Sequence, residues 1–326
     1  TESCAYGNWS TASGMLNSLK LVFKNAGDLR RKAAAQGTNI VYLNTAFDKK
    51  TLVRDSITMF ILKRSNPKLK IVLKFHGSES DVVAAKSMLK NYVLKNADLM
   101  LTLSTEEREN FLRIGVPAQK VQVTANVIQK ELYVQDPGFK KKAGLTDDTP
   151  VLLFVGRFMH EKGILDLVEA CRLLKQSGTR FCLFCLGNGP LLEDVKAKIG
   201  QYGLEDNIKL PGHIPESETR RYYANCDVLV LPTYHQEGFP MAVFQAVGAG
   251  RPVITTRIRA AADYFVENEH CLWVEKKNPQ QLYAQLLALL TNKPLQETMR
   301  VNNFALAEKF TADRIVGKLM EYFKTI

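Results

Sequence analysis

Short apolar runs alternate with amphipathic stretches along almost the whole chain. In the first half "NIVYLN" (39–44), "KIVLKFHG" (70–77), "DLMLTLS" (98–104) and "VQVTAN" (121–126) predict strands. In the second half "PVLLFVG", "RFCLFCLG", "NIKLPG", "DVLVLPT", "PVITT" and "CLWVE" do the same. Between them, 80–96 and 105–114 carry a helical pattern, and the latter opens "STEERENFL", with an N-cap serine and acids in the first turn. Strands this apolar, separated by helices, require parallel sheets covered on both faces. The expected fold is therefore α/β, with two Rossmann-like domains facing across a cleft. The polar stretch "DPGFKKKAGLTDDTP" (136–150) reads as the linker. The expected division is 1–137 for the first domain, 138–310 for the second, and a C-terminal helix over 311–326 that packs back on the first. The opening "TESCAYGNWSTASG" is polar and irregular, so the chain is expected to lack the first strand of its fold.

Composition changes this picture little. No run approaches the ~20 apolar residues of a membrane span, and no signal-peptide pattern stands at the start. Of the cysteines, Cys182 and Cys185 form a CxxC, but within a strand they face opposite ways. Together with Cys4, Cys171, Cys226 and Cys271 they read as core thiols suited to a reducing cytoplasm. Charge is more informative. Residues 1–150 hold 23 Lys and Arg against 14 Asp and Glu, whereas residues 151–326 hold 21 against 19. The basic half suits an anionic membrane face or an acidic glycan, or serves as a solubilising surface. No basic-aromatic motif accompanies it, so nucleic acid is not an expected partner.

Two segments carry chemistry. In "GRFMHEKG" (156–163), Gly156 ends a strand, and Arg157 and Lys162 follow. Glu161 can neutralise only one of the two cations at a time, and the pair suits a diphosphate. In "YHQEGFPMAVFQAVGAGRPVI" (234–254), Glu237 and Gly238 form a turn, and a helix starts near Pro240. The free N–H groups of Met241 and Ala242, with the helix dipole, make an anion site. Gln245 offers an amide on the same helix. Both segments fall at carboxyl ends of strands, where open α/β sheets bind ligands.

These motifs resemble retaining GT-B glycosyltransferases, in particular glycosyltransferase family 4. "VGRFMHEKG" is similar to the family's G-R-x-x-x-x-K-G element, "LGNGPLLEDV" to its L-G-x-G-P segment, and "EGFPMAVFQAVGAGRPVI" to its E-x7-E motif with the following A-x-G-x-P-V. In the first half "KFHGSESD" resembles the acceptor-domain H-G element, and the likeness spans roughly residues 38–326. The resemblance implies that Arg157 and Lys162 grip the nucleotide diphosphate and that Glu237 bonds hydroxyls of the transferred sugar. The Met241 and Ala242 amides would bind phosphate, with Gly238, Phe239 and Pro240 leading into them. His76 would assist the leaving group or acceptor, and Gly156 and Asn126 would line the donor site. No metal and no cofactor is implied, since cations and amides stabilise the departing diphosphate themselves.

The chain departs from the pattern at several positions. Gln245 stands where the family has its second glutamate, which removes charge assistance of about 1 kcal/mol from a ribose contact. Val127 replaces the glycine after Asn126, and "RIRAAAD" puts Arg259 and Ala260 at glycine positions and Asp263 at a usual glutamate. The expected function is transfer of a hexose from a nucleotide sugar to a glycan or lipid-linked acceptor in surface polysaccharide or glycolipid synthesis. It would take place in the cytoplasm, with peripheral contact at the inner face of an anionic membrane. The alternatives are a non-catalytic nucleotide-sugar-binding protein and a nucleotide-sugar epimerase.

Overall fold

The computed structural model describes residues 14–77, 83 and 85–326. Cys4, most of the irregular opening stretch, and the "SESD" that follows His76 and Gly77 lie outside the described residues, as does part of the helical pattern expected over 80–96. The described chain forms two compact units, Thr1–Ala125 with Lys318–Ile326, and Asn126–Gly317. Among the described residues no helix is long and apolar enough to cross a membrane.

Unit 1 holds a parallel sheet in the order β1 (Ile40–Thr45), β2 (Lys70–Phe75), β3 (Leu99–Thr102), β4 (Val121–Val123). The register runs from Ile40 opposite Lys70 to Thr45 opposite Phe75. Helices α1 (Met15–Ala35), α2 (Lys49–Ser65), α3 (Met88–Asn96) and α4 (Thr105–Arg113) connect or flank these strands. The unbroken apolar runs are explained by burial on both faces. Ile71, Leu73, Phe75 and Met100 enter one core, whereas Val72, Leu99 and Leu101 face the other way. That second face is covered by Leu319, Tyr322, Phe323 and Ile326 from the end of the chain. The main core centres on Phe47, Phe75 and Phe111, with ring centroids 4.7–5.5 Å apart. The cap expected at residue 104 is present. Ser104 Oγ accepts from Glu107 N–H at 3.2 Å, and Glu107 Oε2 accepts from Leu103 N–H at 3.1 Å.

Unit 2 begins with a correction. The stretch expected as a linker, 136–150, is built into this unit's core. Its single-turn helix α5 (Phe139–Lys142) places Phe139 between Phe184 and Tyr222, at centroid distances of 5.8 and 5.5 Å. Asp136 N–H donates to Asn225 Oδ1 at 2.9 Å. Burying one such phenyl ring is worth about 2 kcal/mol, enough to hold an otherwise polar segment down.

The unit's parallel sheet has the order β10-β9-β8-β5-β6-β7. Its strands are β5 (Val151–Val155), β6 (Cys182–Leu186), β7 (Ile208–Gly212), β8 (Val228–Leu231), β9 (Val253–Thr255) and β10 (Cys271–Trp273). The helices are α6 (Ile164–Gln176), α7 (Leu192–Tyr202), α8 (Glu216–Asn225), α9 (Met241–Gly248), α10 (Arg259–Tyr264), α11 (Pro279–Thr291) and α12 (Lys293–Leu306), and α13 (Ala312–Phe323) starts in this unit and ends in unit 1. Cys182 and Cys185 are buried in β6. Desolvation pushes the Cys182 thiol up to about 11 and the Cys185 thiol well above its ordinary value, so both stay protonated and unreactive.

Candidate active site

The strand order of unit 2 reverses between β5 and β8. From β5 the chain moves outward through β6 to β7, then returns with β8 beside β5 and moves the other way to β9 and β10. The chain therefore runs in opposite directions along the sheet after β5 and after β8, and such a switch point is where open sheets of this kind accept ligands. Both segments singled out in the sequence leave the sheet here.

The loop after β5 is fixed on two sides by backbone contacts. Toward β6, Gly156 N–H donates to Leu186 O and Phe158 N–H to Asn188 O, both at 3.0 Å. A Cβ on Gly187 would lie 2.0 Å from Gly156 O, and one on Gly189 would lie 2.4 Å from Phe158 O. The two glycines of "LGNGP" thus let one loop lie on the other. Toward β8, Gly163 starts α6 at φ 70°, with room for a Cβ denied by Pro232 O at 2.3 Å. Between these anchors, Glu161 O accepts three hydrogen bonds, from Thr233 Oγ1 (3.0 Å), Tyr234 N–H (2.8 Å) and His235 N–H (3.0 Å).

That three-donor clasp brings the following residues of the two loops together. Lys162 Nζ meets Glu237 Oε1 at 2.5 Å, and both side chains are only about one-fifth exposed or less (16% and 21%). Thr233 Oγ1 stands 3.5 Å from the same carboxylate oxygen. Just beyond, α9 starts at Met241 with Pro240 before it. Val243 and Phe244 N–H both reach Pro240 O, whereas the Met241 and Ala242 N–H groups have no acceptor among the described residues. A cation, a carboxylate and two open amides therefore share one end of one sheet, which is a ready arrangement for an anion carrying hydroxyls.

A family model, glycosyl transferases group 1, matches residues 136–305, which include the whole of this site in unit 2. The chain belongs to the group 1 glycosyl transferases. Among relatives, it is 28% identical over 233 residues to the amylovoran biosynthesis glycosyltransferase AmsK of Erwinia amylovora, covering 68% of this chain and 55% of AmsK. It is 26% identical over 246 residues to the 2-deoxystreptamine glucosyltransferase of Streptomyces kanamyceticus, covering 73% of this chain and 63% of that protein. The chain thus spans little more than half the length of the curated relatives it matches. HepE of Anabaena, solved in complex with UDP and glucose, superposes with a TM-score of 0.80 at 19% identity, over 97% of this chain and 84% of that one. The fold is GT-B, as expected from the motifs.

Within this group 1 glycosyl transferase, the other expected site residues fall as follows. Arg157 is exposed at the end of β5 and makes no hydrogen bond or ion pair among the described residues. Only Lys162, then, has its charge met inside the chain, by Glu237 rather than by the neighbouring Glu161. Asn126 Nδ2 lies 3.4 Å from Met241 Sδ, so the asparagine does reach the start of α9. Gly238 O accepts from Ala260 N–H at 3.3 Å. Gln245 is half-buried on α9, its amide unbonded among the described residues. Phe239 differs from expectation in one respect. Its ring stacks on Phe244 at 3.6 Å and packs against Phe310, so only its backbone is left to face a ligand. Gly156 itself has room for a side chain. A Cβ there would meet the Phe154 ring at 3.5 Å, ordinary contact, and the crowding falls on Gly187 instead.

His76 belongs to unit 1, just after β2, and its N–H donates to Thr45 O at 2.9 Å. Desolvation, and then the nearby Lys74 ammonium, hold its pKa below the usual histidine value, which favours a neutral imidazole. Among the described residues no group of three or more His, Cys, Asp or Glu is placed to hold a metal ion. Sequence reasoning missed Thr233, the Glu161 carbonyl, Gly187 and Gly189. The paired glycines of "LGNGP" were the one local signal for any of them.

Proposed function

We propose that this chain carries the catalytic body of a retaining, metal-independent glycosyltransferase of family 4, which moves a hexose from a nucleoside-diphosphate sugar to a glycan or lipid-linked acceptor. The observation that carries this reading is the Lys162–Glu237 pair at 2.5 Å beside the open amides of α9. Arg157, Lys162 and the Met241 and Ala242 N–H groups hold the diphosphate. Gly156, Asn126, Gly238, Pro240, the Phe239 backbone and Gln245 line the nucleotide and its ribose, and Glu237 bonds hydroxyls of the sugar.

As the glycosidic bond breaks, positive charge spreads over the sugar ring and negative charge builds on the departing diphosphate. The cations and amides answer that growing charge, so they stabilise the transition state more than bound donor. His76, neutral at physiological pH, is counted with the catalytic residues as a neutral hydrogen-bonding group. The likeness to AmsK, an amylovoran biosynthesis glycosyltransferase, supports a role in polysaccharide synthesis, and that to HepE with UDP and glucose supports a UDP-sugar donor. The basic first half suits work at the cytoplasmic face of an anionic membrane.

A thermal-shift panel with UDP, GDP, ADP and their sugars tests the donor site, since a ligand bound only by folded protein raises Tm. Stabilisation by one nucleotide series, followed by release of labelled sugar or its transfer to an acceptor, is expected. Absence of any nucleotide-dependent shift would refute the reading.

A further inference from the structure

The loop carrying Glu237 is laced to the segment leaving β9 by a ladder of contacts that continues past the sheet. Thr255 Oγ1 donates to Leu231 O at 2.8 Å, and Thr256 Oγ1 to Thr233 O. Farther out, Arg259 Nη1 donates to Gln236 O and Arg259 Nη2 to Gln236 Oε1, each at 3.0 Å, and Ala260 N–H closes on Gly238 O. Glu237 is the residue between the last two rungs. Its neighbours on both sides are tied to the start of α10, which fixes the backbone from which its carboxylate extends to Lys162.

Arg259 is an unusual residue to find in that role. It is 2% exposed, and its φ of 35° lies in the left-handed region that bulky side chains avoid. Such a conformation persists only where its surroundings over-determine it. Here the determinant is the guanidinium fork, which takes the carbonyl and the side-chain oxygen of one residue at once. A lysine ammonium has no planar fork to match that pair.

We propose that Arg259 is a positioning residue for Glu237: by clamping Gln236 it sets the direction of the Glu237 carboxylate, and so sets how well the site reads the sugar of its donor. This rests on the reading of Glu237 as the sugar contact. The clamp acts first on the sugar end, and reaches Lys162 through Glu237 alone. Arg157, Lys162 and the α9 amides, which hold the diphosphate, are not among its partners in the ladder.

The test compares UDP with UDP-glucose by calorimetric titration of wild-type protein, Arg259→Lys, Arg259→Gly, Gln236→Ala and Glu237→Ala, each checked for its Tm. The ratio of UDP-glucose affinity to UDP affinity is expected to fall about tenfold in Arg259→Gly and Arg259→Lys, the size of one lost charge-assisted hydrogen bond. Gln236→Ala, which keeps the carbonyl rung, should fall less. Arg259→Gly also relieves the strained φ, so a folded variant with a poor sugar ratio separates positioning from simple destabilisation. A ratio that falls in Glu237→Ala but stays at the wild-type value in both Arg259 variants overturns the assignment of Arg259 alone. Equal losses for UDP and UDP-glucose in the Arg259 variants overturn it too, as a merely structural effect. A ratio unchanged in Glu237→Ala strikes the reading of Glu237 as the sugar contact and this inference with it, and wild-type protein that binds neither probe strikes the UDP-sugar donor on which the inference is tested.

Discussion

In unit 1 the backbone leaving the strands is taken up by its own neighbours. His76 N–H reaches Thr45 O, Thr124 N–H reaches Thr102 O, and Leu103 N–H reaches Glu107 Oε2. In unit 2 the corresponding edge is tied down just as firmly between loops, through Glu161 O and the glycines 187 and 189, yet it leaves an exposed Arg157 and two unbonded amides at the start of α9. Both units are parallel sheets flanked by helices. They differ in strand order, which is sequential from β1 to β4 in one and reversed between β5 and β8 in the other. Reversal sends the chain in opposite directions from the β5 and β8 loops, and although these loops are clasped to each other, Arg157 and the first α9 amides keep no partner among the described residues. The difference leaves polar groups open at the edge of unit 2 that the edge of unit 1 takes up itself.

Variants can break or sharpen that contrast. The largest expected effect is on Lys162. Lys162→Ala should lower kcat/KM for the donor by about 10²–10³, the usual loss for one preorganised charge at a developing anion, in a steady-state assay of sugar release. Undiminished activity would remove unit 2's edge from the chemistry. His76→Ala tests the other unit. Turnover should fall by about 10², as for loss of a positioned proton-transfer or hydrogen-bonding group, while UDP affinity in titration stays the same. A parallel loss of UDP affinity would undo the division of labour.

Gly189→Ala probes the loop on which the contrast depends. The added methyl would sit 2.4 Å from Phe158 O and should cost about 1–3 kcal/mol, read as a lower denaturation midpoint. Gln245→Glu should tighten donor binding about fivefold by restoring a charged acceptor, and a looser complex would place the ribose elsewhere. Smallest is the effect of pH on unit 1. Because the folded pKa of His76 lies below its unfolded value, the unfolded chain binds more protons as pH falls through about 6.5 toward the folded pKa. Stability should decline over that window, and His76→Gln should flatten the Tm profile there.

Much of this was legible in the residues themselves. The unbroken apolar runs in "KIVLKF" and "RFCLFCLG" announced strands buried on both faces, and "STEE" announced a helix start, because each signal acts within one turn or one strand of its own position. Pro240 marked the start of α9 for the same reason. The errors share a different cause. The polar run 136–150 looked like a linker because the aromatic slot that captures Phe139 is built from Phe184 and Tyr222, far along the chain. Gly187 and Gly189 were missed likewise, since their close approaches are to Gly156 O and Phe158 O on another loop.

The sequence by itself determined the α/β architecture, the places where strands stop, and the identities of the charged residues set at those stops, since all of these follow from short-range periodicity and capping. It left open which charge would answer which. Glu161 adjoins Lys162 in the chain, yet Glu237 takes the lysine, and Arg259 holds the turn that points Glu237 there. Those choices depend on β8 lying beside β5 and β9 beside β8, an order fixed by packing the whole sheet between its helices. Local residues cannot encode it, because a hydrogen bond between distant loops forms only after the strands beneath them have found their neighbours.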